Sequence, residues 1–179
     1  FVVGVAERSK IPDPRRVEPG DVLIGLGASG PHCNGFSLIR KIIEREKLDL
    51  SKTYTQAGDG PLGELLLEPM PIYAKRVLQL FEKFFVKGAA HITGGGIAGN
   101  LVRALHDGVD AIVHKGSWPI PKLFGALQAW GEVPQDELWD VFNMGLGFMI
   151  ILPRAQAKDA LQFLESQGER AYGVGEIVQ

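Results

Sequence analysis

The sequence is poor in cysteine, in net charge and in long apolar runs, and each shortage excludes a class of protein. Cys33 is the only cysteine, so no disulfide can form within the chain, and we expect a reducing, cytoplasmic setting. The longest apolar run, residues 146–152, is far shorter than the ~20 residues that span a bilayer, so we expect no membrane partner. The 19 basic and 21 acidic residues are interspersed, which argues against nucleic acid as a partner.

What is present is typical of a globular domain. Hydrophobic residues make up 45% and charged residues 22% of the 179 residues, enough to build a core without disulfides or metal. The chain opens inside a strand-like stretch with no initiator methionine, so we expect a piece of a longer polypeptide. Residues 1–179 are therefore predicted to be one domain of a larger protein.

Strand-like and helix-like segments alternate irregularly along the chain. Apolar runs predict strands at residues 1–8, 21–26, 109–114, 146–152 and 171–178, and another that enters Thr93. Helical spacing of apolar residues predicts helices at about residues 36–47, 61–67, 69 or 71 to 85, 119–130, 134–140 and 155–167. The irregular order predicts the α/β (α+β) class, with helices packed against a mixed sheet.

The most distinctive stretch runs from Ala90 to Arg103 and is typical of a strand, a glycine turn and a helix. The turn is Thr93-Gly94-Gly95-Gly96. Such turns present backbone N–H groups and the helix dipole to phosphate or carboxylate. Thr93 could cap the helix or bind the anion, and His91 could donate to the same ligand. Alternatively, the glycines only let helix and strand pack closely, with His91 in the core.

A second glycine-rich loop, residues 25–35, leads into the helix predicted from residue 36. Between Ser29 and Ser37 it carries neutral donors, including His32 and Asn34, able to hold a phosphorylated or amide-rich ligand. Asn34 or Ser37 could instead cap the helix. Arg40, one turn further on, could face the same pocket or solvent. Both interpretations stay open on these residues alone.

The same loop matches by letter the Gly-x-Gly-x-x-Gly fingerprint of dinucleotide-binding proteins, with Gly25, Gly27 and Gly30. Five residues separate Gly30 from the helix, and no strand ending in an acidic residue follows at ~20 residues, so a Rossmann fold is not expected. Cys33 lacks the local signature of a cysteine nucleophile, and we interpret it as a neighbour of the site.

Asn143 precedes the strand predicted at residues 146–152, and it is either a turn residue or a ligand contact. No histidine pair has zinc-like spacing with the cysteine, and no two carboxylates stand out as a catalytic pair. We therefore predict no metal site within this chain.

Several phrases taken together resemble one family. The chain carries, in this order, GDVLIGLGASGPHCNGFSLIRKII, LLEPMPIYAKRVL, AAHITGGGIAGNLVRAL, GSWPIPKLFGALQAWGEV, FNMGLGFMIILP and GVGEIV. It thereby resembles, over nearly its whole length, the C-terminal domain of aminoimidazole ribonucleotide synthetase, also called phosphoribosylformylglycinamidine cyclo-ligase. The most specific matches are SGPHxNGxSLxR, HxTGGG and FNMGxG. The sequence departs from the family at Pro71, where arginine is common, and at Cys33, where serine is usual.

The resemblance implies a three-layer α/β/α sandwich around a mixed sheet, partly ferredoxin-like. It implies an enzyme of purine biosynthesis that uses ATP and Mg²⁺ to close formylglycinamidine ribonucleotide into aminoimidazole ribonucleotide. In the usual mechanism the formyl oxygen is phosphorylated, a nitrogen attacks that carbon, and phosphate leaves. The family's proteins are homodimers whose N-terminal domain, absent here, carries most nucleotide and metal carboxylates. Alone, this chain is expected to fold, to bind anions weakly and to turn over no substrate.

The resemblance also implies the site residues. It assigns catalysis to His32, Asn34 and His91. Substrate or phosphate binding falls to Ser29, Gly30, Gly35, Ser37, Arg40, Thr93, Gly94, Gly95, Gly96, Asn100 and Asn143.

Two alternatives accompany this interpretation. Formylglycinamidine ribonucleotide synthetase and selenophosphate synthetase belong to the same superfamily, but they are not expected to combine SGPHxNGxSLxR with FNMGxG. A non-catalytic module that binds anions or nucleotides would carry similar glycine turns. Asp-rich strands upstream of this chain would favour the enzyme over the module.

Overall fold

A computed structural model describes Phe1 and residues 3–179. The strands are β1 (Val22–Gly27), β2 (Gly88–His91), β3 (Asp110–Val113), β4 (Leu146–Leu152) and β5 (Ala171–Val178). The α-helices are α1 (Phe36–Glu46), α2 (Leu62–Leu66), α3 (Ala74–Lys83), α4 (Gly96–Leu101), α5 (Lys122–Gly131), α6 (Gln135–Val141) and α7 (Ala157–Ser166). Short 3₁₀ turns lie at Arg8–Lys10, Pro14–Arg16, Val102–Ala104 and Arg154–Gln156.

The strands form one sheet in the order β2-β4-β1-β5-β3. All four neighbouring pairs are antiparallel, so the α+β class is confirmed but the prediction of a mixed sheet is wrong. Since a dinucleotide-binding fold needs parallel neighbours, this sheet also excludes the Rossmann alternative. The sequence could not show this because β4 enters between β1 and β2 from more than fifty residues further along the chain.

The order of the elements explains the ferredoxin-like part. In β1-α3-β2 the two strands run in the same direction, and β4 is inserted between them antiparallel to both. The unit β4-α7-β5 repeats the strand-helix-strand pattern, and β1 separates its two strands. Six elements thus give the split βαβ arrangement of ferredoxin-like folds, and β3 extends the sheet beside β5.

Helices cover both faces of the sheet because alternate strand residues point to opposite sides. Leu23 and Ile151 belong to the core on the α4 side, whereas Ile24 and Ile150 belong to the core beneath α3 and α7. A third apolar cluster joins α1, α5 and α6 around Phe124 and its neighbours. The predicted three-layer arrangement is therefore present.

The N-terminal segment differs from its prediction. Phe1 and residues 3–7 have no regular secondary structure, so the strand predicted at residues 1–8 is wrong for the described residues, and Val2 lies outside them. Val3 and Val5 are fully exposed, and no described strand pairs with this segment. An apolar run forms a strand only where a neighbouring strand exchanges hydrogen bonds with it.

A buried ion pair joins the beginnings of β1 and β2. Lys87 Nζ lies 2.8 Å from Asp21 Oδ1 and 2.7 Å from Glu18 Oε1, and the side chains of Lys87 and Asp21 are only 4% and 3% exposed. Burial lowers the pKa of Lys87, but the hydrogen bonds to Asp21 and Glu18 and their charges together outweigh burial and raise it. Lys87 is therefore charged inside the protein.

Among the described residues, the helices are too short and too polar for any of them to cross a bilayer.

Candidate functional site

The two glycine-rich loops meet at the end of the sheet where β1 and β2 finish. The first follows β1 and leads into α1, and the second follows β2 and leads into α4. Because β1 and β2 run in the same direction on either side of β4, both loops begin at the same end of the sheet. The backbone N–H of Gly94 donates to Asn34 Oδ1 at 3.1 Å, which joins them directly.

Asn100 shapes the second loop from inside. Its Nδ2 donates to the carbonyl of Gly96 at 2.7 Å and to those of Thr93 and Gly94 at 3.3 Å. The hydroxyl of Thr93 donates to Asn100 Oδ1 at 3.1 Å. Gly95, not Thr93, is the N-cap of α4, so the alternative in which Thr93 caps this helix is wrong. Thr93 and Asn100 thus hold the turn's conformation.

The turn keeps its glycines for backbone reasons. Gly95 and Gly96 have φ values of +97° and +61°, a region that other residues rarely adopt. Gly96 is buried, whereas Gly94 and Gly95 are exposed. The N–H groups of Gly94 and Gly96 are already bonded to Asn34 Oδ1 and to the Thr93 carbonyl. No side chain caps α4, so the first-turn N–H groups that follow Gly96 have no side-chain partner.

Ser29 and Asn143 brace the first loop. Ser29 Oγ donates to the carbonyl of Pro69 at 2.8 Å. Asn143 Nδ2 donates to the carbonyl of Gly30 at 2.8 Å, and its Oδ1 accepts from the N–H of Gly145 at 2.9 Å. Both polar ends of buried Asn143 are therefore occupied in connecting the loop to the beginning of β4.

The start of α1 is set by Gly35. This residue is the N-cap, with φ +75°, and neither of the predicted side-chain caps, Asn34 or Ser37, bonds the helix. Ser37 and Arg40 are exposed on α1, and the Arg40 guanidinium carbon lies 6.0 Å from the ring centroid of Phe36. Among the described residues, no hydrogen bond or ion pair connects these two side chains to the second loop. Cys33 is exposed beside the site.

His32 has the most unusual environment in the loop. Its side chain is buried, with 6% of the residue exposed, and its φ of +57° lies in the left-handed region. Neither ring nitrogen has a hydrogen-bond partner among the described residues. An unsatisfied buried polar group costs about 1–3 kcal/mol, so the free nitrogens indicate a place for a ligand.

The ring of Tyr73 lies near both His32 and His91. The Tyr73 ring centroid lies 6.3 Å from that of His32 and 6.2 Å from that of His91. His91 is exposed at the end of β2 and stacks on Phe148, with centroids 6.1 Å apart. Burial first, and then the charge of His91, lower the pKa of His32 to about 4. At pH 7 His32 is therefore neutral, with one donor and one acceptor nitrogen.

Tyr73 and Gly147 belong to this cluster but are not among the predicted site residues. Tyr73 Oη donates to the carbonyl of Gly27 at 2.9 Å, and burial first, with the charge of Glu169 second, raises the pKa of Tyr73. A Cβ on Gly147 would lie 2.1 Å from Tyr73 Oη and 2.6 Å from His32 Cε1, so no side chain fits there. In the sequence, only the second glycine of Met-Gly-x-Gly indicates this close approach.

Residues 18–179 match the family described as AIR synthase related protein, C-terminal domain. The chain belongs to this family. The resemblance predicted from its glycine-rich phrases is thereby confirmed.

Two curated relatives of this AIR synthase related domain carry the same name. The phosphoribosylformylglycinamidine cyclo-ligase of Bacillus subtilis (strain 168) is 44% identical over 178 residues, covering 99% of this chain and 51% of the relative. That of Bifidobacterium animalis subsp. lactis (strain AD011) is 43% identical over 180 residues, covering 100% and 52%. The chain spans about half the length of the curated relatives it matches.

Solved structures share the fold of this AIR synthase related domain at low identity. Thiamine-monophosphate kinase from Stenotrophomonas maltophilia K279a superposes with a TM-score of 0.64 at 18% identity, covering 97% of this chain and 52% of that one. The T. maritima PurL complexed with FGAR has a TM-score of 0.54 at 15% identity, covering 96% and 26%. At these identities the likeness shows the fold alone.

Within Phe1 and residues 3–179, no three His, Cys, Asp or Glu side chains of the AIR synthase related domain come together as metal ligands.

His32 should make the stability of this AIR synthase related domain depend on pH. Its pKa is about 4 in the folded protein and 6.5 ordinarily, so between these values the unfolded chain binds more protons. The free energy of unfolding should then fall by about 1–3 kcal/mol as pH drops from 6.5 to 4. Urea unfolding across this range measures it. Asparagine tolerates the left-handed backbone, so His32→Asn should fold but lose this part of the pH dependence of the unfolding free energy. The same pH dependence in His32→Asn and the wild type would contradict the lowered pKa of His32.

Proposed function

We propose that this chain is the C-terminal part of an ATP-dependent ligase of purine biosynthesis that closes formylglycinamidine ribonucleotide into aminoimidazole ribonucleotide. Relatives 43% and 44% identical to it are named for that activity. The observation that carries the proposal is the hydrogen bond between Asn34 and Gly94, because it unites two motifs 60 positions apart in one surface.

The second loop supports binding of phosphoryl oxygens. The first-turn amides of α4 have no side-chain cap, and N–H groups at a helix start attract phosphate. Gly94 and Gly95 are exposed and carry no side chain that would keep an anion away. Both the ribonucleotide and ATP present such oxygens.

His32 and Asn34 support action at the reacting group. The neutral imidazole of His32 is buried without a hydrogen-bond partner among the described residues, and its one N–H can donate to the formyl oxygen as negative charge develops there. Asn34, already placed against the second loop, can bond the same group through its amide. Positioned donors of this kind supply most of the catalysis in phosphoryl transfer. His91, exposed next to Tyr73, is the third proposed catalytic residue.

The remaining parts of the proposal lie outside this chain. ATP supplies the phosphoryl group that activates the formyl oxygen. We place Mg²⁺ and most contacts to the nucleotide in an N-terminal half like that of the relatives, which are about twice as long as this chain. A homodimer and a cytoplasmic location complete the proposal.

Asn34→Asp tests the phosphate site without removing the bond that organises it. A carboxylate oxygen still accepts from the Gly94 N–H, but its charge repels a phosphorylated ligand at short range. In the complete polypeptide that contains this chain, we expect Asn34→Asp to bind the ribonucleotide at least about ten-fold more weakly than the wild type does. Calorimetry measures the binding, and a coupled assay of ADP release measures turnover.

Two further proteins make this test specific. Gln162→Glu adds the same charge at an exposed position of α7 and should leave binding unchanged. The 179-residue chain alone should release no ADP. Wild-type affinity in Asn34→Asp would contradict the placement of the phosphate. Robust turnover by the chain alone would contradict the proposal that an N-terminal half holds Mg²⁺ and most of the nucleotide.

A further inference from the structure

We propose that Tyr73 is a positioning residue of this site, whose ring holds the imidazoles of His32 and His91 and whose hydroxyl ties them to the end of β1. Its effect on catalysis rests on the proposed function, but its effect on the two histidines does not.

The ring of Tyr73 touches every aromatic member of the cluster. It is tilted by 52° to the ring of His32 and by 62° to that of His91, at centroid distances of 6.3 and 6.2 Å. Phe148, on which His91 stacks, lies 5.8 Å from the same ring. Among the described residues, Tyr73 is the aromatic residue paired with both histidines, so its position sets where both imidazoles lie.

The hydroxyl of Tyr73 fixes the ring against the sheet. Oη donates to the carbonyl of Gly27, the last residue of β1, at 2.9 Å. The bare backbone of Gly147 in β4 lets Oη and His32 Cε1 approach together, since a Cβ there would lie 2.1 and 2.6 Å from them. Tyr73 therefore connects β1, β4 and, through His91, the end of β2, which are the strands that place the two loops.

Tyr73 is a positioning residue and not an acid or base. It is buried, its hydroxyl is already bonded to Gly27, and burial raises its pKa, so it keeps its proton. Its influence on the site is to exclude water from His32. A smaller side chain at residue 73 would let water reach the unpartnered nitrogens of His32.

The test follows histidine titration by NMR in the 179-residue chain. The chain has four histidines, and the His32 signal is identified by its loss in His32→Asn. In the wild type it should titrate with a midpoint of about 4. In Tyr73→Leu the midpoint should rise by about one unit or more, because hydration favours the charged imidazole. Tyr54→Leu, which removes a ring packed on Trp130 in another cluster, should leave it unchanged.

A second variant keeps the proposal testable if Tyr73→Leu does not fold. Tyr73→Phe keeps the ring and loses only the bond to Gly27, so the midpoint should rise less. In the complete polypeptide, the kcat of Tyr73→Phe should fall several-fold while its KM is unchanged. A loss of folded protein would also lower the apparent kcat, but it would not move the titration of His32.

The outcomes separate this proposal from the proposed function. A folded Tyr73→Leu, or a folded Tyr73→Phe, whose His32 titrates as in the wild type overturns the positioning role. If the titration moves as expected but the wild-type complete polypeptide neither binds the ribonucleotide nor releases ADP, the positioning role stands and the proposed function fails.

Discussion

Gly96→Ala is expected to lower the free energy of unfolding by about 2–5 kcal/mol. A Cβ on Gly96 would lie 1.8 Å from the carbonyl oxygen of Trp139 in α6, a backbone atom that cannot turn aside. The φ of +61° adds the cost of a left-handed conformation for alanine. Since natural domains are stable by only ~5–15 kcal/mol, urea unfolding should show a large shift of the midpoint.

Gly99→Ala is the matched control for this substitution. Gly99 lies in the same helix, and a Cβ there would meet nothing within 4 Å. Alanine in place of glycine inside a helix should stabilise the protein by about 0.5–1 kcal/mol. If Gly96→Ala unfolds within about 1 kcal/mol of the wild type, the close contact between α4 and α6 is wrong.

Lys87→Met is expected to lower the free energy of unfolding by about 3–5 kcal/mol, because it leaves the buried carboxylate of Asp21 without its cation. Glu18 contributes less, since 71% of its side chain is exposed. Methionine retains most of the packing of the lysine stem, so the loss reports on charge and not on volume. Urea unfolding at pH 7 measures it.

A double variant distinguishes charge from packing. Adding Asp21→Asn to Lys87→Met removes the unpaired charge, while the Asn oxygen can still accept from the Glu18 N–H that Asp21 Oδ2 binds at 2.9 Å. The double variant should therefore be more stable than Lys87→Met alone. Lys41→Met, at an exposed position of α1, should change stability by less than about 0.5 kcal/mol. A double variant no more stable than Lys87→Met would contradict the buried pair.

Features with local causes could be predicted from the sequence. The turn at residues 93–96 needs glycine because Gly95 and Gly96 adopt positive φ, and β4 is apolar throughout because both of its faces are covered. Such requirements are visible within a few neighbouring residues, so the elements flanking both loops were located to within a few positions of their observed bounds.

Features that depend on long-range pairing could not be predicted in this way. The strand predicted at residues 1–8 is an apolar run with no described partner, and the insertion of β4 between β1 and β2 makes the sheet antiparallel where a mixed sheet is predicted. Tyr73 was missed for a related reason. It follows a proline-rich segment without periodicity, and its partners come from three different strands.

The place of β4 in the sheet has a consequence for synthesis on the ribosome. Both site loops, near residues 30 and 94, leave the exit tunnel well before Leu146, yet the strand that sets the distance between them begins there. A nascent chain that ends between Asn143 and Leu146 therefore contains every proposed site residue but cannot assemble the site. Assembly awaits the synthesis of β4.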